Sequence, residues 1–250
     1  MTTFPGFRQC VGLWVLATIA VAPVAVAYEG TGVTDGGTIT GRVRVVGDVA
    51  PLPPQPVHKE IATCGSSVRD DRLVVAPGGA LQFAVVTVNG ITKGKPVPRT
   101  DLVLHNRLCA FVPHVSSATR GQMLQIVNDD PILHDAHAWL GERTLFNLAI
   151  PRGRTVHHPL GDAGLIHINC NVRHTWMHAY ILVDDDPYNA VSGPDGRFTI
   201  TDVPAGTYRL TTWHEILGTI EIPVTVTPGT TVTADVDFPS VAPPPDEATR

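Results

Sequence analysis

The stretch "INCNVRHTWMHAY", residues 168–180, places a thiol, an imidazole and a thioether (Cys170, His174 and Met177) within one turn and the start of one strand. A soft thiolate beside an imidazole selects copper or zinc, and a nearby thioether favours copper. A second imidazole would complete the set. It has to come from a distant strand, and "VNDDPILHDAHAWL", residues 127–140, offers His134 and His137 behind a turn containing Asn128 and two aspartates. His134, at a strand end after an Asp-Pro turn, is the expected ligand, and His137 is its closest competitor. The interval from His134 to Cys170 has room for two or three strands of ~5–6 residues with their turns. A β-sandwich can therefore bring the two loops together at one end. A single helical turn around "HDAHAWL" is also expected.

The chain opens with Arg8 ahead of an apolar run that Pro23 interrupts, followed by Ala25-Val26-Ala27. This pattern predicts a secretory signal peptide over residues 1–27 and a periplasmic or secreted protein. No later segment is long and apolar enough to span a membrane as a helix, so no transmembrane segment is expected after cleavage. Cleavage removes Cys10 and leaves Cys64, Cys109 and Cys170, an odd number in an oxidising compartment. Only Cys170 has His and Met neighbours at ligand spacing, so Cys64 and Cys109 are expected to form the disulfide. A bridge closing a loop of that length stabilises by about 3–4 kcal/mol on the chain-entropy model.

The formal net charge of −5 is spread without a Lys/Arg cluster, which argues against a nucleic-acid partner. Abundant Gly, Pro, Val and Thr point to β structure. Short β-branched runs such as "TDLVLHN", "CAFVPHV" and "GQMLQIVND" are bounded by turn residues, as in a sandwich or barrel. After Met177, turn signals at Asp195-Gly196 and Pro204-Ala205-Gly206 separate further strands, which read as a smaller sandwich over residues 186–238. The proline-rich acidic segment 239–250 is expected to be a disordered tail.

Together "NDDPILHDAHA", "TLFNLAIPRG" and "INCNVRHTWMHAYILV" resemble the cupredoxin domain of bacterial secreted proteins of the plastocyanin-like or methylamine-utilization type. In those proteins a carboxypeptidase-regulatory-like (transthyretin-like) domain follows, and "PYNAVSGPDGRFTITDVPAGTYRLTTWHE" resembles it. The resemblance implies an all-β chain, with a cupredoxin Greek-key sandwich over residues 28–185 including an N-terminal extension, and then the small sandwich. It implies one type 1 copper, with His134, Cys170 and His174 equatorial and Met177 axial, in a one-electron carrier serving a redox partner protein in the periplasm. Two departures stand out. Asp135 occupies the place where many cupredoxins have an Asn that ties the ligand loops together, and the interval from Cys170 to His174 is one residue longer than the shortest.

Copper storage or delivery, or a purely structural sandwich, are the alternatives. A Cys170 nucleophile with His174 as base ranks last, because no oxyanion motif accompanies the pair and an exposed free thiol would oxidise, so the chain is not expected to be an enzyme. His167 and His178 read as structural or surface residues, His157-His158 as a solvated turn, and Trp176 and Tyr180 as packing residues. His214-Glu215 lacks a second His at helical spacing, so it reads as a polar cap rather than a zinc-protease motif.

Overall fold

Alternation of side chains about the strand Gly164–Cys170 buries Ile166, Ile168 and Cys170 and leaves Leu165, His167 and Asn169 on the other face. This two-residue period is what a strand with two different neighbours requires. The strand lies in a five-stranded sheet, in the order Val115–Thr119, His174–Asp184, Gly164–Cys170, His134–Leu140, Arg143–Ile150. Its inner face packs on a four-stranded sheet of Ala110–Val112, Leu102–Arg107, Met123–Asn128 and Thr155–Pro159. Leu104, Leu124, Ile126, Ile166, Ile168 and Ile181 fill the space between them and are almost wholly buried. Truncating any of these to Ala is expected to cost about 2–5 kcal/mol. The described residues are all-β as expected, apart from short helical turns. The computed structural model describes residues 27–240. The signal-peptide reading for 1–27 and the tail reading for 239–250 therefore fall almost wholly outside the described residues, although Pro239 closes a strand.

A second sandwich has its own core around Ile39, Val86, Leu210, Ile200 and Phe238. Here the boundary at residue 185 needs correction. The strands Gly37–Val46 and Val85–Asn89, expected to belong to the first unit, are central strands of the second. Gly37–Val46 pairs antiparallel with Arg197–Val203 and parallel with Thr231–Thr233 and Val236–Pro239. Midway along it, a Cβ at Gly41 would come within 2.1 Å of the Ala234 carbonyl, so only glycine lets the returning chain pass so close. Val85–Asn89 pairs with both Asn189–Val191 and Gly206–His214. Alternation marks a strand but says nothing of a partner far along the chain. The first sandwich is thus an insertion between two neighbouring strands of the second.

The segment between the first strands crosses back. Val57 and Cys64 join the first core, Ile61–Cys64 forms a single helical turn, and Cys64 is disulfide-bonded to Cys109 as expected. Two local readings are corrected. "HDAHAWL" is the strand His134–Leu140, because its neighbours on both sides supply ladder partners. His157-His158 lies on the strand Thr155–Pro159, where the His158 ring stacks on Phe146 at 4.2 Å between centroids. The outer face of the five-stranded sheet meets the second sandwich, with Tyr180 edge-on to Trp213 at 5.3 Å.

Candidate metal centre

The strand His134–Leu140 begins where the hairpin of Gly164–Cys170 and His174–Asp184 turns, so the two loops of the sequence pattern share one end of the sandwich. Cys170 pairs directly with His174 across a tight turn in which Arg173 takes a positive φ of 69°. Past that pair, Thr175, Trp176 and Met177 bulge out of register before His178 pairs with Asn169, and the alternation breaks with it. His174, Trp176 and Met177 all turn inward.

Three donors converge. The Nδ1 atoms of His134 and His174 lie 3.1 Å apart, and the Cys170 Sγ is 3.9 Å from the first and 3.7 Å from the second. Donors at about 2.0–2.3 Å from one shared ion would stand about 3.3–3.7 Å from each other, and all three separations lie within about 0.2 Å of that range, close to what a single metal needs. All three side chains are buried, with exposures of 0%, 2% and 1%. Met177 is 1% exposed on the same strand and belongs to the same core. His137 does not join them: its Nε2 lies 3.0 Å from the Thr144 hydroxyl and its ring stacks on Trp139.

The surrounding hydrogen bonds aim the donors. His134 Nε2 donates to Asp130 Oδ2 at 3.0 Å, which leaves Nδ1 as the lone-pair nitrogen facing Cys170 and His174. The Asp130 carboxylate also accepts the Leu108 and Cys109 N–H groups, both at 2.8 Å. The disulfide turn is therefore wired to a candidate ligand. Asn128 organises the same loop, donating to the Ile132 and Ile150 carbonyls and accepting the Asp130 N–H. Asp135 accepts the N–H groups of Asn171 and Val172, while its own N–H donates to Cys170 Sγ at 3.5 Å. The Asp at that position thus ties the two ligand loops. Trp176 packs as expected and donates Nε1–H to the Cys109 carbonyl at 2.9 Å.

Burial governs the protonation of the set. It pushes the Cys170 thiol up to about 12, and it lowers both His134 and His174 from the usual imidazole range, Asp130 opposing at His134 and His134 adding at His174. The metal-free donor set is therefore neutral: a thiol and two uncharged imidazoles. His174 Nε2 is buried without a hydrogen-bond partner, while the two Nδ1 atoms compete for at most one hydrogen between them. An ion bound by both Nδ1 lone pairs and the thiolate would remove that competition, and so the residues fit a soft or borderline metal. Sequence reasoning missed Asp130 as the partner of His134, because an Asp in a turn carries no mark of what its side chain reaches.

Solved structures with a similar local fold include copper-binding proteins. A purple cupredoxin from Nitrosopumilus maritimus is 19% identical, with 34% of this chain and 100% of that chain covered at a TM-score of 0.30. Amicyanin from Paracoccus versutus is 18% identical, with 40% and 97% covered at 0.31. A Cu-containing nitrite reductase from Thermus scotoductus is 19% identical over 36% of this chain at 0.32, and the match spans about a quarter, 24%, of the reductase. The family model for polysaccharide lyase family 4, domain II, matches residues 183–234, the place where the carboxypeptidase-regulatory-like domain was expected. No curated protein matches the chain. Among the described residues, no helix is long and apolar enough to cross a membrane.

Proposed function

We propose that the chain is a type 1 copper protein of the periplasm or cell exterior, holding one ion with His134, Cys170 and His174 and carrying single electrons to and from a partner protein. The observation that carries this reading is the buried convergence of two Nδ1 atoms and one thiol, with His134 held by Asp130 and Cys170 by the Asp135 N–H. A copper ion held there would take up and return one electron without making or breaking a covalent bond. The chain's part is to keep the donors still. Asp130 fixes the His134 ring, Asp135 holds the Cys170 turn, and the packed core excludes water. A frame that does not move when the charge changes keeps the reorganisation small. Met177, buried in the same core, would supply at most a further weak donor.

Deep burial favours electron transfer over copper delivery, since a delivery site must open to hand its ion on. Lys59, on the disulfide-tethered segment, reaches the Val172 carbonyl at 3.4 Å and so braces the ligand turn. The neutral thiol counts against a Cys170 nucleophile, which would need a thiolate and an imidazolium to stabilise it. Adding Cu(II) to the purified metal-free chain is expected to produce an intense thiolate-to-copper absorption that bleaches and returns on cycles of reduction and oxidation. A colourless adduct would overturn the copper-thiolate reading, and colour that cannot be cycled would favour delivery.

A further inference from the structure

The most unusual polar group outside this pocket lies where the two sandwiches meet. His114, just before the strand Val115–Thr119, and His178, on the strand His174–Asp184, belong to the first sandwich. Glu215 comes from the turn between the strands Gly206–His214 and Gly218–Val226 of the second. His114 Nε2 lies 2.6 Å from Glu215 Oε2, His178 Nε2 lies 3.5 Å from Glu215 Oε1, and these three donors all stand within 4.8 Å of one another. Two donors at about 2.0–2.2 Å from a common tetrahedral zinc would be about 3.3 Å apart, inside that spread.

The hydrogen bonding is incomplete as it stands. His114 Nδ1 is 3.2 Å from the His178 carbonyl, which can only accept, so Nδ1 carries a hydrogen there. Its other nitrogen faces a carboxylate, which also only accepts. A neutral imidazole has one N–H, so the second contact needs either an extra proton or a cation in the proton's place. His178 Nε2 is buried and has no hydrogen-bond partner, although it faces the same carboxylate. His178 and Glu215 also line a cleft of about 700 Å³ together with His167, Thr175, Tyr180 and Arg72, which leaves room for a water or small ligand beside the triad.

We infer that His114, His178 and Glu215 form a second metal site, for a divalent first-row ion best matched by Zn²⁺, with one open position toward the cleft. Two imidazoles and a carboxylate are borderline and hard donors without sulfur, so the site differs in its preference from the Cys170 pocket. Because Glu215 comes from one sandwich and the two histidines from the other, a bound ion would also cross-link them.

Equilibrium dialysis of the full chain against Zn²⁺, followed by elemental analysis, tests this in four proteins: wild type, Cys170→Ala, Glu215→Gln and the double variant. The expected zinc contents are two equivalents, one, one and none. Glu215→Gln keeps the side-chain shape, and thermal unfolding checks that it folds. If Glu215→Gln does not lower the zinc content in either background, or if folded Cys170→Ala retains none, the triad is an ion pair only and the inference fails. Should Glu215→Gln fail to fold, Cys170→Ala decides alone. If Cys170→Ala keeps as much zinc as the wild type, the Cys170 pocket is the site in error and the triad is unaffected.

Discussion

His174 turns into the first sandwich and meets a thiol and another imidazole, whereas His178, on the same strand, turns out of it and meets a carboxylate from the second sandwich. Within the sandwich, burial is the largest influence on all three donors and leaves them uncharged, outweighing the Asp130 carboxylate beside His134. At the junction burial alone would raise Glu215, but the hydrogen bond to His114 and the facing His178 imidazole outweigh it and bring the carboxyl down to about 2. One strand thus separates a dry, soft donor set from a charged, hard one by pointing neighbouring histidines to opposite faces. The difference teaches that donor chemistry follows the packing on each side of the sheet.

The largest expected effect is on the inner cluster. Cys170→Ser should remove the intense copper absorption completely, and His134→Ala should do the same, read from the visible spectrum after Cu(II) addition. The Glu215→Gln variant should keep that absorption, which is the sharpest separation of the two clusters.

Acid should act next, on stability. His214, beside Glu215, is buried, and burial lowers it from 6.5 to about 4, while its Nδ1 accepts the Ile216 N–H at 3.2 Å. Its neutral form is the folded one. The stability it contributes is fully present above pH 6.5 and is lost as pH falls from 6.5 toward 4, about 3 kcal/mol in all at ~1.4 kcal/mol per unit. His134 and His174 are lowered in the same direction and add to this loss in the metal-free chain. Glu215 contributes above pH 4.5 and is lost only toward pH 2. Urea midpoints of the metal-free protein should therefore decline from pH 7 to pH 4; midpoints that stay level would contradict the neutral burial of these rings.

Asp130→Asn should weaken copper binding about 10–100-fold in a competition assay without abolishing colour, since it disturbs the orientation of His134 but removes no ligand. Met177→Leu should have less effect still: copper remains bound and coloured, and the potential rises on voltammetry, because losing a weak donor disfavours Cu(II). The smallest effect is expected from His137→Ala. Its ring contacts Thr144 and Trp139 on the outer face, so the colour should persist.

The inner cluster was legible because Cys170, His174 and Met177 are neighbours in the chain and His134 follows a marked turn. Its supports were not. Asp130, Asp135 and the disulfide turn at Leu108-Cys109 come together only through the fold, and nothing local distinguishes them from other polar turn residues. The outer triad was harder still, since His114, His178 and Glu215 lie on three separate segments and each alone resembles a surface residue. Strand positions followed from alternation, as in "GTITGRVRVVG", but the partners of that strand at residues 231–239 depend on a pairing that no local pattern encodes.

That pairing has a consequence for how the protein is made. Gly37–Val46 leaves the ribosome early, yet its parallel partners Thr231–Thr233 and Val236–Pro239 are among the last described residues to be synthesised. At about 5–20 residues per second the wait is ~10–40 s. During it the inserted sandwich, whose strands run from Leu102 to Asp184, has every one of its own ladder partners available. The inserted sandwich can therefore mature first, while a largely unpaired ten-residue strand with buried-type residues at Ile39, Val43 and Val45 stays exposed. Such an edge invites pairing with another chain, so this strand is the nascent protein's point of greatest need for a chaperone.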